Sequence, residues 1–116
     1  MNTKLLALIA LALPVIARAQ PVTVPSPLVA KGFACEPLEY PVAALRAEAT
    51  GRTVISFTVS DDGFIVQPEV KASSGRKREH KLLDFVALQH VRSCKLASSA
   101  SMPPGEYSHE FVWVIR

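Results

Sequence analysis

Apolar and polar residues alternate most cleanly between positions 53 and 60. Ile55, Phe57 and Val59 point one way, and Ser56, Thr58 and Ser60 the other. A period of two predicts a half-buried strand, with Val54 the one apolar residue on its polar side. Asp61, Asp62 and Gly63 follow and predict a hairpin turn, Gly63 supplying the positive φ. Residues 64–72 are then the returning strand. Pro68 lies inside it and has no N–H to give to a ladder, so this strand is expected at an edge or a bulge and the first strand in the centre. Ser73, Ser74 and Gly75 break it.

Between residues 81 and 94 the period changes to three or four. Leu83, Val86, Ala87, His90, Val91 and Cys94 share one stripe, which predicts a helix with a single buried face. Glu79 and Asp84 near its start, and Arg92 and Lys95 near its end, suit the helix dipole. A shorter helix is expected over residues 41–49. Pro41 fits its first position, Leu45 and Ala49 lie one turn apart, and Gly51 stands where a left-handed cap favours glycine. The last strand covers residues 106–115, with Tyr107, His109, Phe111, Trp113 and Ile115 on one face and Ser108, Glu110, Val112 and Val114 on the other.

The element order is α-β-β-α-β. The last strand returns by way of the second helix, and a right-handed crossover that skips one position brings it to the far side of the first strand. The expected fold is α+β, a three-stranded antiparallel sheet of order 2-1-3 with two helices packed on one face.

The start of the chain reads as an export signal. Lys4 precedes an apolar run of 12 residues, Leu5 to Ile16, and Ala17-Arg18-Ala19 offers a small-x-small cleavage site. The alternative is an uncleaved anchor, although a spanning helix needs about 20 apolar residues. The expected divisions are a signal at 1–19 cleaved after Ala19, a Pro-rich extended leader at 20–34 and one domain at 35–116. Three prolines in residues 20–27 favour an extended, poorly packed leader. Of the 13 Lys and Arg, removal of Lys4 and Arg18 leaves 11 against 10 acidic residues, a charge of about +1. That gives no electrostatic case for nucleic acid. The two cysteines, Cys35 and Cys94, read as a disulfide in an exported chain, closing a loop worth ~4 kcal/mol on the chain-entropy estimate. A redox-active or metal-binding thiol pair is the competing reading, without a Cys-x-x-Cys to support it.

No catalytic set stands out. There is no Gly-x-Ser-x-Gly, Walker loop or His-Glu-x-x-His. His80 and His90 are out of register for a shared metal, His90 is expected in the core, and turn chemistry accounts for Asp61 and Asp62. No enzyme, cofactor, metal or small-molecule substrate is expected. Residues 75–81, with Arg76, Lys77, Arg78 and Lys81, read as a solvated loop and first helical turn, or as a contact for anionic envelope glycans. What remains is the last strand. It is long, proline-free and apolar toward its end, an edge that is a liability unless used. It suits the addition of an extended partner segment. The alternatives are self-pairing or cover by the leader.

Taken in order, Tyr40-Pro41, Gly51, residues 54–59, Asp61-Asp62-Gly63, Ser73-Ser74-Gly75, and Leu83-Asp84 with Ala87 and Val91 resemble the C-terminal domain of the TonB family of energy-transducing proteins. The resemblance covers roughly residues 35–116 and implies the same fold and, for the exported chain, a place in the periplasm. It also implies a protein-docking function, in which a segment of an outer-membrane TonB-dependent receptor adds to the last strand. The residues it implies are Leu38, Glu39 and Tyr40, with the backbone of Ser108, His109, Glu110, Phe111, Val112, Trp113 and Val114. The Ser73-Ser74-Gly75, Leu83 and Asp84 block looks architectural. The chain departs from the family pattern where Cys94 and Leu96 replace an aromatic near the end of the second helix. It also lacks the long spacer of a full transducer, so holding a receptor is separated from pulling on it. The competing class is an envelope structural protein that self-associates, as a homodimer for instance, or contacts the cell wall.

Overall fold

The computed structural model describes residues 21–96 and 102–115. The expected signal and part of the loop before the last strand lie outside them. The elements are α1 (Pro27–Ala30), β1 (Phe33–Ala34), α2 (Val42–Arg46), β2 (Gly51–Val59), β3 (Ile65–Ala72), α3 (Arg78–Ser93), β4 (Lys95–Leu96) and β5 (Gly105–Trp113). The fold is α+β. β2 is flanked by β3 and β5, both antiparallel to it. α3 lies across β2 and β3, α2 rests on α3, and α1 rests on β5.

The inward positions of β2 are Thr53, Ile55, Phe57 and Val59, all buried as the alternation requires. They meet Leu83, Ala87 and Val91 from α3 and Phe111 and Trp113 from β5 in one core. Each large side chain fully buried there contributes about 1.5–3 kcal/mol. Pro68 sits as expected on an outer strand, and at a bulge: Gln67 and Pro68 together oppose Phe57, and Gln67 takes φ 53°. An extra residue in a left-handed conformation is how a bulge absorbs the mismatch.

Three expectations need correction. The first helix is shorter, with Pro41 as its N-cap rather than its first residue. Its left-handed cap is Glu48 at φ 53°, not Gly51. Glu48 N–H donates to Leu45 O at 3.0 Å and Ala49 N–H to Ala44 O at 2.9 Å, the two bonds of a Schellman ending. Gly51 instead opens β2 at φ 149°, pressed so closely against Ser74 that a Cβ would lie 2.4 Å from its carbonyl oxygen. The second helix begins earlier, at Arg78, so most of the basic stretch is its first turn.

The leader is the third correction. It is packed, not loose. Val24, Leu28 and Phe33 are buried in the same core. Thr23 bridges Glu39, Ser26 caps α1 with Pro27 in its first turn, and β1 pairs with β4 to form a separate two-stranded sheet. The prolines do not prevent this. Pro27 needs no N–H at a helix start, and the valines between the prolines supply apolar surface for the core.

Candidate functional site

Two edges of the sheet are open to compare. The β3 edge is interrupted by Pro68 and by two register shifts, and it carries exposed Glu69 and Lys71, the devices that stop strands from pairing. β5 has none of them. It pairs with β2 without a break over nine positions, Gly51↔Trp113 to Val59↔Gly105. Among the described residues no other strand pairs with it.

The inward side chains of this strand are anchored in the core. Phe111 and Trp113 are fully buried. Trp113 meets Tyr40 edge to face at 5.3 Å, and Phe111 meets His90 at 5.9 Å. Trp113 Nε1 donates to Thr53 Oγ1 at 3.0 Å. Thr53 Oγ1 in turn donates to Asp84 Oδ1 at 2.8 Å, and Asp84 also accepts from Ser73 Oγ and Ser74 N–H. The Ser73, Ser74 and Asp84 block is thus structural, as expected from the resemblance, and it reaches through Thr53 to the edge strand. Farther along, Tyr107 and His109 are half-buried and stack on Phe57 at 6.0 and 5.7 Å. His109 Nε2 is buried without a partner. Burial, with Lys31 nearby, holds its pKa below the ordinary histidine value, so the ring is neutral at pH 7.

Outward, Ser108, Glu110, Val112 and Val114 are exposed. Glu110 pairs with Arg52 at 3.6 Å on the surface, a contact worth at most about 1 kcal/mol. A groove of about 690 Å³ runs beside residues 110–115. Val112, Val114 and Ile115 line it from the strand side, and Val22, Val24 and Pro27 from the leader side. By contrast, the open face of the sheet is polar, lined by Ser56, Thr58, Gln67, Glu69 and Lys71.

The other expected contact segment is placed differently. Leu38 and Tyr40 are buried, and only Glu39 is exposed. Leu38 O accepts Val24 N–H at 2.7 Å, and Tyr40 N–H donates to Val22 O at 2.8 Å. The Tyr40 hydroxyl donates to Ala49 O. These side chains are core, and the leader occupies their backbone edge. Of the residues carried over from the resemblance, Leu38, Tyr40, Phe111 and Trp113 are therefore buried in the core and His109 is half-buried, while Glu39, Ser108, Glu110, Val112 and Val114 face outward.

Cys35 and Cys94 are joined by a disulfide. His90 lies beside them, the ligand atoms of the three within 4.8 Å of one another. The disulfide takes both thiolates, and both imidazole nitrogens are bonded. His90 Nδ1 donates to Glu36 O at 2.7 Å, and Nε2 accepts from Ser26 Oγ at 2.6 Å. Burial outweighs the Glu36 bond and keeps its pKa low. The cluster ties the leader to α3 rather than presenting a metal site. The sequence did carry a signal for it: Ser26 before Pro27 is a helix start, and Val22 and Val24 alternate with Thr23.

The family model described as Gram-negative bacterial TonB protein C-terminal matches residues 36–111. No curated protein and no solved structure matches the chain.

Proposed function

This chain belongs to the family of Gram-negative bacterial TonB C-terminal domains, and from that premise we propose that it docks an extended segment of an outer-membrane transporter, or of another envelope protein, along β5. The family is a protein-interaction domain of the cell envelope, related to transport, and not a known enzyme family. The observation that carries the proposal is the β5 edge: nine residues without proline, paired on one side only among the described residues, beside an apolar groove. Backbone groups of residues 108–114 hold the added strand by main-chain hydrogen bonds, and the groove takes alternate side chains. The rigid attachment of Phe111 and Trp113 means that little ordering entropy is lost when the partner arrives. The same reading exports the protein on residues 1–19 to the periplasm, with residues 35–116 as the docking domain. Among the described residues no helix is long and apolar enough to cross a membrane.

The test is a titration of isotope-labelled, oxidised protein with synthetic peptides that carry the N-terminal segments of outer-membrane transporters, following backbone amide shifts. Shifts along residues 108–114 are the expected result. A flat titration in which those amides are already protected from exchange would give the edge to a second copy of the chain, and self-association would replace receptor docking.

A further inference from the structure

The groove beside β5 has two walls. Val112 belongs to the strand and Val114 follows just past its end, and Val22, Val24 and Pro27 belong to the leader. The leader is itself extended here, and its bonds from Val24 N–H to Leu38 O and from Tyr40 N–H to Val22 O use one of its edges. Along extended backbone, the N–H and C=O of successive residues turn to opposite edges. Thr23, which lies between the two bonded residues and opposite Glu39, therefore turns its own N–H and C=O away from Glu39. Thr23 is also among the residues lining the groove. The groove thus has strand backbone on both sides.

The leader wall is fastened. Ser26 donates to His90 Nε2 at 2.6 Å, His90 Nδ1 donates to Glu36 O at 2.7 Å, and the Cys35–Cys94 bridge ties the returning chain to the end of α3. His90 is buried, and Leu28 from α1 is fully buried against the core. The groove is also short of charge. Glu110 is the one charged side chain among the described residues that line it, and Arg52 already pairs with it. An anionic side chain brought into this space loses water and meets Glu110, so it gains no partner.

We propose that leader residues 22–27 are the second wall of the docking site, fastened by His90 and the disulfide, and that they select an apolar extended segment of an envelope protein without acidic side chains, lodged between β5 and Thr23. This rests on the docking function proposed above. It adds that Ser26 and His90 are positioning residues and that the intact disulfide is required for full affinity.

The probe is an acetylated, amidated hexapeptide of alternating valine and threonine, titrated into the labelled, oxidised protein, with a second peptide carrying glutamate in place of each valine. Amides of Thr23 and Val24 are expected to shift together with those of residues 108–114, and the glutamate peptide to bind at least about tenfold more weakly. Ser26→Ala loses the bond that fastens the wall and should weaken binding roughly fivefold, as should reduction with dithiothreitol. Circular dichroism and the Trp113 indole signal establish that each form is folded. Val22→Lys changes an exposed wall residue without touching the core, and it should weaken the valine peptide as well. Shifts confined to β5, with equal affinity in Ser26→Ala, Val22→Lys and the reduced protein, would remove the wall and leave docking intact. Absence of any shift, with either this peptide or the transporter peptides, would overturn the docking function and the wall together.

Discussion

At the scale of single residues, Asp84 holds three elements together beneath the β5 edge. It sits on α3 and accepts hydrogen bonds from Thr53 on β2 and from Ser73 and Ser74 just past β3. Thr53 passes the connection on to Trp113 of β5. Burial alone raises the pKa of this carboxyl, but the bonds from Ser73, Ser74 and Thr53 together outweigh burial and hold it below the ordinary range. Replacing Asp84 by Ala leaves Thr53 and the Ser74 N–H without their acceptor, and should cost about 3 kcal/mol in urea unfolding. The pH dependence has a definite sign. Because the folded pKa is depressed, the unfolded chain takes up the proton first as pH falls. The carboxylate's contribution is therefore complete above the unfolded value of about 3.9 and is lost as pH falls through the lower folded value. Thermal melts of the native protein should fall over that window, and those of Asp84→Asn should lack this part of the slope. The serines and the aspartate are conspicuous in the sequence as short blocks. Nothing local joins them to Thr53 and Trp113, which lie 31 and 29 positions from Asp84 in the chain.

At the scale of elements, hydrophobic period was a good guide to β2, β5 and α3, since each buries one face and each is long enough to repeat its pattern. It was a poor guide to α2, which has only five helical residues and whose ending depends on backbone conformation. Glu48 there adopts a left-handed φ of 53° that suits glycine. Glu48→Gly should therefore raise stability by about 0.5–1 kcal/mol, read as a shift in the urea midpoint with an unchanged slope. Gly51, which resembles a cap by position, is instead required by the closeness of the Ser74 carbonyl. Elements of two to four residues, α1, β1 and β4, carry too few positions for any period to show. They exist because the leader and the segment after α3 are brought side by side.

At the scale of the whole molecule, the disulfide spans 59 positions and joins the leader's return to the end of α3. Its reduction should cost up to ~4 kcal/mol, a large share of the roughly 5–15 kcal/mol that holds a domain folded. Paired urea melts of oxidised and reduced protein measure this, with a difference below about 1 kcal/mol as the contrary result. By itself, the sequence determined the α+β class, the strand and helix faces, the pairing of Cys35 with Cys94 and a long, proline-free last strand. These follow from residue type and local spacing, which act over one strand or a few helical turns. Only the tertiary structure decided that Leu38 and Tyr40 are core, that His90 fastens Ser26 and Glu36, and that the leader walls the groove beside β5. Those facts depend on which distant segments meet, and a Pro-rich leader shows its apolar face only against the core that receives it.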